Sequence, residues 1–286
     1  MPRLFYTLSF QKRVTFRGVR IMKKLSVLII ISASVITVTA LMTGCNGTFG
    51  SPVNGNGKIE TQSFNNTGFN KLEIDNAFQA DVTYSGSFAV SITADSNLFS
   101  FLDIRQSGGT LHVGLQKNHS YLNTTQKVSI TLPDLRDIKV SGAAKTQVTG
   151  FNSTGALNID VSGAGRLSFT DVKIGSAAIK VSGAGITSGT LSMMDGNFNI
   201  SGASILELTG TADNITADIS GASSGRLENL ILGQSTLTVS GASNATVSVS
   251  GRLNVNVSGA SRVYYTGTPT LGSINVTGAS TFAKKP

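Results

Sequence analysis

The chain has 286 residues and a formal net charge of +8, but seven of its 23 basic side chains fall in residues 1–45, which hold no acid. Residues 46–286 carry 16 basic against 15 acidic groups, scattered among one another, so the sequence shows no basic stripe of the kind that binds nucleic acid. A single cysteine, Cys45, excludes both an internal disulfide framework and a cysteine-based zinc cluster.

Charged residues make up only 13% of the chain, and Gly, Ser, Thr and Asn are abundant, a composition that a disordered tract could share. The aliphatic residues, however, alternate with polar ones in short regular runs. That period belongs to half-buried strands and predicts an all-β protein.

In chain order, residues 1–21 are read as an extended or misassigned N-terminus, with translation starting at Met22. Residues 22–44 read as a lipoprotein signal peptide. Lys23 and Lys24 form a basic start, Leu25 to Ala40 an apolar stretch, and Thr43-Gly44 a small-residue approach to Cys45. The ending resembles a bacterial lipobox, with Met42 where Leu is usual. It implies that Cys45 carries a lipid, and hence that the membrane is a partner through this anchor. The apolar run is short for a membrane span. Residues 45–57, rich in Gly, Asn and Pro, read as a flexible tether, so folded sequence is expected from 58 to 286.

A repeat dominates residues 140–286. It appears as VSGAA (140–144), VSGAG (161–165), VSGAG (181–185), ISGAS (200–204), ISGAS (219–223), VSGAS (239–243), VSGAS (257–261) and VTGAS (276–280). Its glycines, Gly142, Gly163, Gly183, Gly202, Gly221, Gly241, Gly259 and Gly278, are spaced by 21, 20, 19, 19, 20, 18 and 19 residues. An alternating run precedes each corner (Leu157-Asn-Ile159-Asp-Val161) and another follows it (Thr246-Val247-Ser248-Val249). Two short strands per unit leave no room for a helix or for a four-stranded propeller blade. Stacked coils fit: a right-handed parallel β-helix (β-solenoid) of about 19–20 residues per coil.

Within each corner, Gly is expected to supply a positive φ or a close backbone approach. Ala is expected to tuck inward, and the first Ser to bond to its own turn or to the Ser one coil away. A Gly-containing turn then returns the chain. Residues 58–139 alternate less regularly and are read as atypical coils capping the open end. Lys284, Lys285 and Pro286 discourage edge pairing at the other end.

The corners, together with the opening FNKLEIDNAFQADVTYSG and the closing SRVYYTGTPTLGSINVTGAS, resemble the bacterial family called putative auto-transporter adhesin, head-GIN domain. The resemblance spans Phe69 to Lys285. It implies a right-handed β-helix on a lipoprotein or secreted protein of Bacteroidetes-like bacteria. It brings no catalytic or binding residues with it.

The residues offer little chemistry. Asp160 and Asp218 occupy equivalent outward positions with Lys180 and Asn199 between them and Thr238 beyond, about 14 Å apart over three coils. That exceeds the separation of a paired-carboxylate glycosidase; Asp195 lies less close to its corner. His112 and His119 sit in the irregular section and read as surface or capping residues. Tyr121, Tyr264 and Tyr265 are the aromatics suited to sugar stacking, with Tyr264 facing outward. Thr246, Ser248 and Ser250 form polar ladders too mixed for a flat ice-binding array. No catalytic residue, metal ligand or cofactor is expected.

The sequence thus reads as a non-enzymatic, lipid-anchored envelope protein, an outer-membrane lipoprotein facing the periplasm or the surface. Its polar face would take a glycan or protein ligand, and nucleic acid is not an expected partner. The alternatives are an envelope polysaccharide-active enzyme on a β-helix, testable at Asp160 and Asp218, and a structural or signalling lipoprotein.

Overall fold

The computed structural model describes residues 51–285. Cys45, the signal peptide 22–44 and residues 1–21 lie outside that range. Residues 51–285 form a β-solenoid of about seven turns. In each coil one strand runs into the Ser-Gly-Ala corner and builds a leading face; the strand that leaves the corner builds a trailing face. Successive coils pair in parallel and in register, so equivalent residues stack. On the leading face Ile138, Ile159, Ile179, Phe198, Ala217, Leu237 and Val255 form one inward column.

The interior is packed by size compensation. Phe198 is completely buried between Ile179 and Ala217. Gly196 is bare because a Cβ there would come within 2.8 Å of the Phe198 ring. Gly225 likewise makes room for the Ile219 Cδ1, which a Cβ would approach to 2.6 Å. Such close packing is what fixes one register among otherwise similar rungs.

The return from trailing to leading face is less uniform than the expected glycine turn. Ile186–Ile200, Ile205–Ile219 and Ser224–Val239 each run as one strand around it. The bends show instead as slips in the inward period, from Leu227 to Leu230 and from Leu232 to Ser235. These slips give each coil a short third side. Gly175, Gly233 and Gly251 occupy returns, whereas Met194-Asp195 and Asp213-Asn214 make the bend without glycine.

At the corner, the eight glycines have φ between 65° and 79°. Each also lies directly on its predecessor: a Cβ on Gly221 would sit 2.5 Å from the Gly202 carbonyl oxygen. The alanine that follows donates its N–H to the glycine carbonyl one coil back, at 2.8 Å from Ala164 through to Ala279. The alanine side chains do not tuck inward. Ala164, Ala203 and Ala222 are exposed, because two successive residues point out where the chain bends. The buried small position is the next one, held by Ala144, Gly165, Gly185, Ser204, Ser223, Ser243 and Ser261. The serine ladder also belongs to this position and not to the first Ser. The hydroxyls of Ser243 and Ser261 donate to the carbonyls of Gly221 and Gly241 at 3.3 Å, and that of Ser204 to the Ser201 carbonyl of its own turn at 2.7 Å.

Residues 58–139 depart from a simple run of capping coils. Asp75-Asn76-Ala77-Phe78 is a ninth corner, with Asn76 at φ 61° in the glycine position. Its carbonyl accepts the Ala143 N–H at 2.5 Å, continuing the ladder. Lys71–Ile74 and Gln79–Tyr84 therefore stack directly on the coil made by Asp137–Val140 and Lys145–Thr149. Thr110–Leu115 and Gln126–Leu132 stack on their other side, also in parallel. Beyond them the pairing turns antiparallel, with Leu102–Ser107 on one face and Ala89–Asp95 followed by Ile59–Phe64 on the other. Antiparallel edge strands plus an apolar plug close this end. Phe69, Phe78 and Leu98 are completely buried, and Phe88 meets Phe69 at 5.0 Å.

Among the described residues the first strand is Val53–Asn54, ahead of the predicted boundary at Lys58. Val53–Asn54 pairs with Tyr121–Leu122. The buried Asp95 carboxylate accepts the N–H groups of Gly57 and Thr125, each at 2.7 Å, and so ties the entering chain to the 116–125 loop. Neither contact leaves an apolar period in the sequence. At the opposite end, Leu271 and Val276 are 45% and 44% exposed, whereas their counterparts Leu253 and Val257 one coil back are fully buried. Tyr265 and Phe282 stack at 5.2 Å over part of that end.

Replacing Gly221 with Val should cost about 3 kcal/mol or more, because it adds left-handed strain to a backbone clash. Ala222→Val, one residue on and outward, should cost under about 1 kcal/mol. Urea unfolding of both variants checks this; equal losses would contradict the corner geometry.

Candidate functional site

Parallel in-register stacking turns each outward position into a row along the solenoid axis, with one side chain about every 4.8 Å. On the leading face the row nearest the corner reads Arg105, His112, Glu73, Lys139, Asp160, Lys180, Asn199, Asp218, Thr238, Asn256 and Asn275. From Glu73 through Lys139 and Asp160 to Lys180 it alternates in charge. Lys139 Nζ lies 2.9 Å from Glu73 and Lys180 Nζ 3.9 Å from Asp160. Its second half is neutral apart from Asp218, and Asn275 donates to Asn256 at 3.0 Å. The adjacent outward row holds Asn197, Thr216, Thr236 and Asn254 on successive rungs. The leading face is therefore a flat array of amides, hydroxyls and compensated charges.

Asp160 and Asp218 sit in one row with Lys180 and Asn199 between them, so their carboxylates lie three rungs, about 14 Å, apart. Asp195 lies in a different row and accepts from Asn214 at 2.9 Å. His112 is mostly buried between Glu73, 3.6 Å from Nδ1, and Asp103, 3.5 Å from Nε2. His119 packs with Phe101 and Tyr121 under the cap loop, and the Tyr121 hydroxyl donates to the Gln116 carbonyl at 2.8 Å. These aromatics hold the loop together. Burial also pushes the Tyr121 phenol above its usual range.

Tyr264 faces outward on the trailing face, with Val263 buried beside it, and Tyr265 turns toward the end stack. Thr246 and Ser248 are outward on the same face, and the Ser250 hydroxyl caps the Leu232 carbonyl at 3.0 Å. The corner glycines form the ridge between the two faces. Cys45 lies outside the described residues.

The charged half of the row sets the local electrostatics. The Lys139 ammonium, hydrogen-bonded to Glu73, holds that carboxyl below its ordinary range against a desolvation effect, with help from His112. The same bond raises Lys139. Asp137, in the next row, is raised by burial despite Lys139 and Lys71. Glu73 therefore stabilises the fold above its unfolded pKa and loses that contribution as pH falls through its lower folded value. Lys139→Gln should move the Glu73 titration upward in carboxyl NMR. It should also lower stability at neutral pH by under about 1 kcal/mol, the difference closing in acid. An unmoved Glu73 titration would contradict the ladder.

Residues 68–269 match the family model described as "Putative auto-transporter adhesin, head GIN domain". Solved structures share the fold. A putative adhesin from Parabacteroides distasonis is 19% identical with a TM-score of 0.76, covering 82% of this chain and 100% of that one. A putative adhesin from Parabacteroides merdae is 20% identical with a TM-score of 0.75, covering 83% and 100%. A structure described as a putative lipid binding protein from P. distasonis is 18% identical with a TM-score of 0.77, covering 82% and 100%. No curated protein matches the chain. The family pattern takes in the ninth corner, the cap apart from Ile59–Phe64 and the residues before it, and seven of the eight repeated corners, and the chain belongs to the putative auto-transporter adhesin, head GIN domain family.

Proposed function

We propose that this chain is a non-enzymatic binding protein of the cell envelope. A lipid on Cys45 anchors it to the outer membrane, and the polar leading face of the solenoid engages a glycan or protein ligand. The observation that carries this reading is the leading face itself. Its side chains repeat hydrogen-bonding groups rung after rung, and its charges are compensated in register. Such a surface suits an extended partner better than a small substrate. The three-rung separation of Asp160 and Asp218 favours binding over a paired-carboxylate hydrolase. The family's adhesin description points the same way. Among the described residues no helix is long and apolar enough to cross a membrane.

Cys45→Ser in the native host should move the protein from the membrane to the soluble fraction, with loss of acyl label in mass spectrometry. Retention of the variant in membranes would remove the anchor. The purified domain should bind in a glycan array or promote attachment of host or bacterial cells; silence in both would remove the binding reading.

A further inference from the structure

The trailing face gathers like charge in one outward row, although the row beside it pairs Glu207 with Arg226 at 3.1 Å. Its outward row nearest the corner reads Lys127, Gln79, Lys145, Arg166, Ile186 and Ile205 on successive rungs. Lys145 lies directly opposite Arg166, one rung or about 4.8 Å along the axis, and Lys127 lies two rungs from Lys145. All three cations are exposed. None takes part in the ion pairs found among the described residues. Like charges stacked in register cost stability. The fold therefore holds an electrostatically unfavourable column beside a leading face where signs alternate.

The three cations border a shallow trough of about 480 Å³. Gln79, Gln147, Ser168 and Ser188 supply amides and hydroxyls there, and Asp81 is its one carboxylate. Outward Ile186, half-buried, gives the trough an apolar margin.

We infer that this trough binds a linear acidic polysaccharide laid along the solenoid axis, with carboxylate or sulfate groups over Lys127, Lys145 and Arg166. The trough is open and elongated, which suits a polymer. Its cations repeat along one line with the rung spacing, which suits charges repeated along a chain. The neighbouring amides and hydroxyls would meet sugar hydroxyls, and the isoleucine margin the C–H face of a ring. No aromatic side chain lines the trough, so the base stacking that holds single-stranded nucleic acid is not provided. This column is hidden in the sequence at Lys127 and Gln79, which lie 48 residues apart, with Gln79 66 residues before Lys145, so no repeat spacing joins them. The inference rests on the reading of the domain as a binding module, and adds a ligand class and a second face to it.

The test uses the purified protein with heparin, polygalacturonate, neutral dextran, a single-stranded oligodeoxynucleotide and phosphatidylglycerol vesicles as probes. The wild type should bind both acidic polysaccharides in a salt-sensitive manner and ignore dextran. Lys127→Gln, Lys145→Gln and Arg166→Gln together should weaken that binding about tenfold or more. A control with the same charge change, Lys58→Gln, Lys117→Gln and Lys284→Gln, should bind like the wild type; matched melting curves establish that both fold. Equal binding by the trough variant, equal loss in the control, or tighter binding to oligonucleotide or vesicles than to polysaccharide would overturn the inference. If the trough variant still attaches to cells or binds in a glycan array, the binding-module reading survives without it. If the wild type shows neither attachment nor array binding, that reading fails as well.

Discussion

The whole solenoid depends on one constraint, the close stacking of backbone at the corner. Each of the eight corner glycines adopts a left-handed φ, and each lies so near its predecessor that a Cβ would strike a carbonyl oxygen. Glycine alone meets both conditions at low cost. In return the following alanine N–H reaches the carbonyl one coil back, so the tightest bend of the coil joins the hydrogen-bond ladder. With the corner fixed, both faces inherit a common register, and every side chain is assigned to the interior or to solvent.

That register explains features that look independent. An oversized inward side chain needs small neighbours, which is why Phe198 stands beside Ala217 and over a bare Gly196. Outward columns become linear arrays, so a charge repeated at one position is a charge repeated in space. The leading face resolves this by alternating sign from Glu73 to Lys180, and the trailing-face row through Lys145 and Arg166 does not. The two ends differ for the same reason. The N-terminal end abandons parallel stacking for antiparallel edge strands and an aromatic plug, whereas the last coil leaves Leu271 and Val276 partly in water.

Much of this was legible in the sequence. The spacing of Gly142 to Gly278 encodes the coil length, and the alternation of Leu157, Ile159 and Val161 encodes the inward face. The row holding Asp160, Lys180, Asn199 and Asp218 follows from the same spacing. The ninth corner was hidden for two physical reasons. Asn76 replaces glycine, because an asparagine tolerates the left-handed region. The coil it serves also contacts residues 66 positions later, since the chain detours through the cap before resuming the stack. Antiparallel strands in the cap alternate as parallel ones do, so period alone could not separate them. The direction of the corner alanine does not follow from its size, because small size does not imply burial. On a bend with two successive outward residues, the buried small side chain is the next one, as Ser204 and Ser223 show. The Asp95 clasp on Gly57 leaves no sequence period at all.

The outward rows are consequences of the corner ladder, so the ladder is the claim most worth testing directly. Native-state amide hydrogen exchange at Ala164, Ala184, Ala203, Ala222, Ala242 and Ala260 reads it residue by residue. These side chains are exposed, but their N–H groups are bonded at 2.8 Å to the coil behind. The account predicts that all six exchange only through global unfolding, with the same protection as the core amides of Ile159, Ile200 and Val239. Rapid exchange at the alanines alongside protected strands would contradict it.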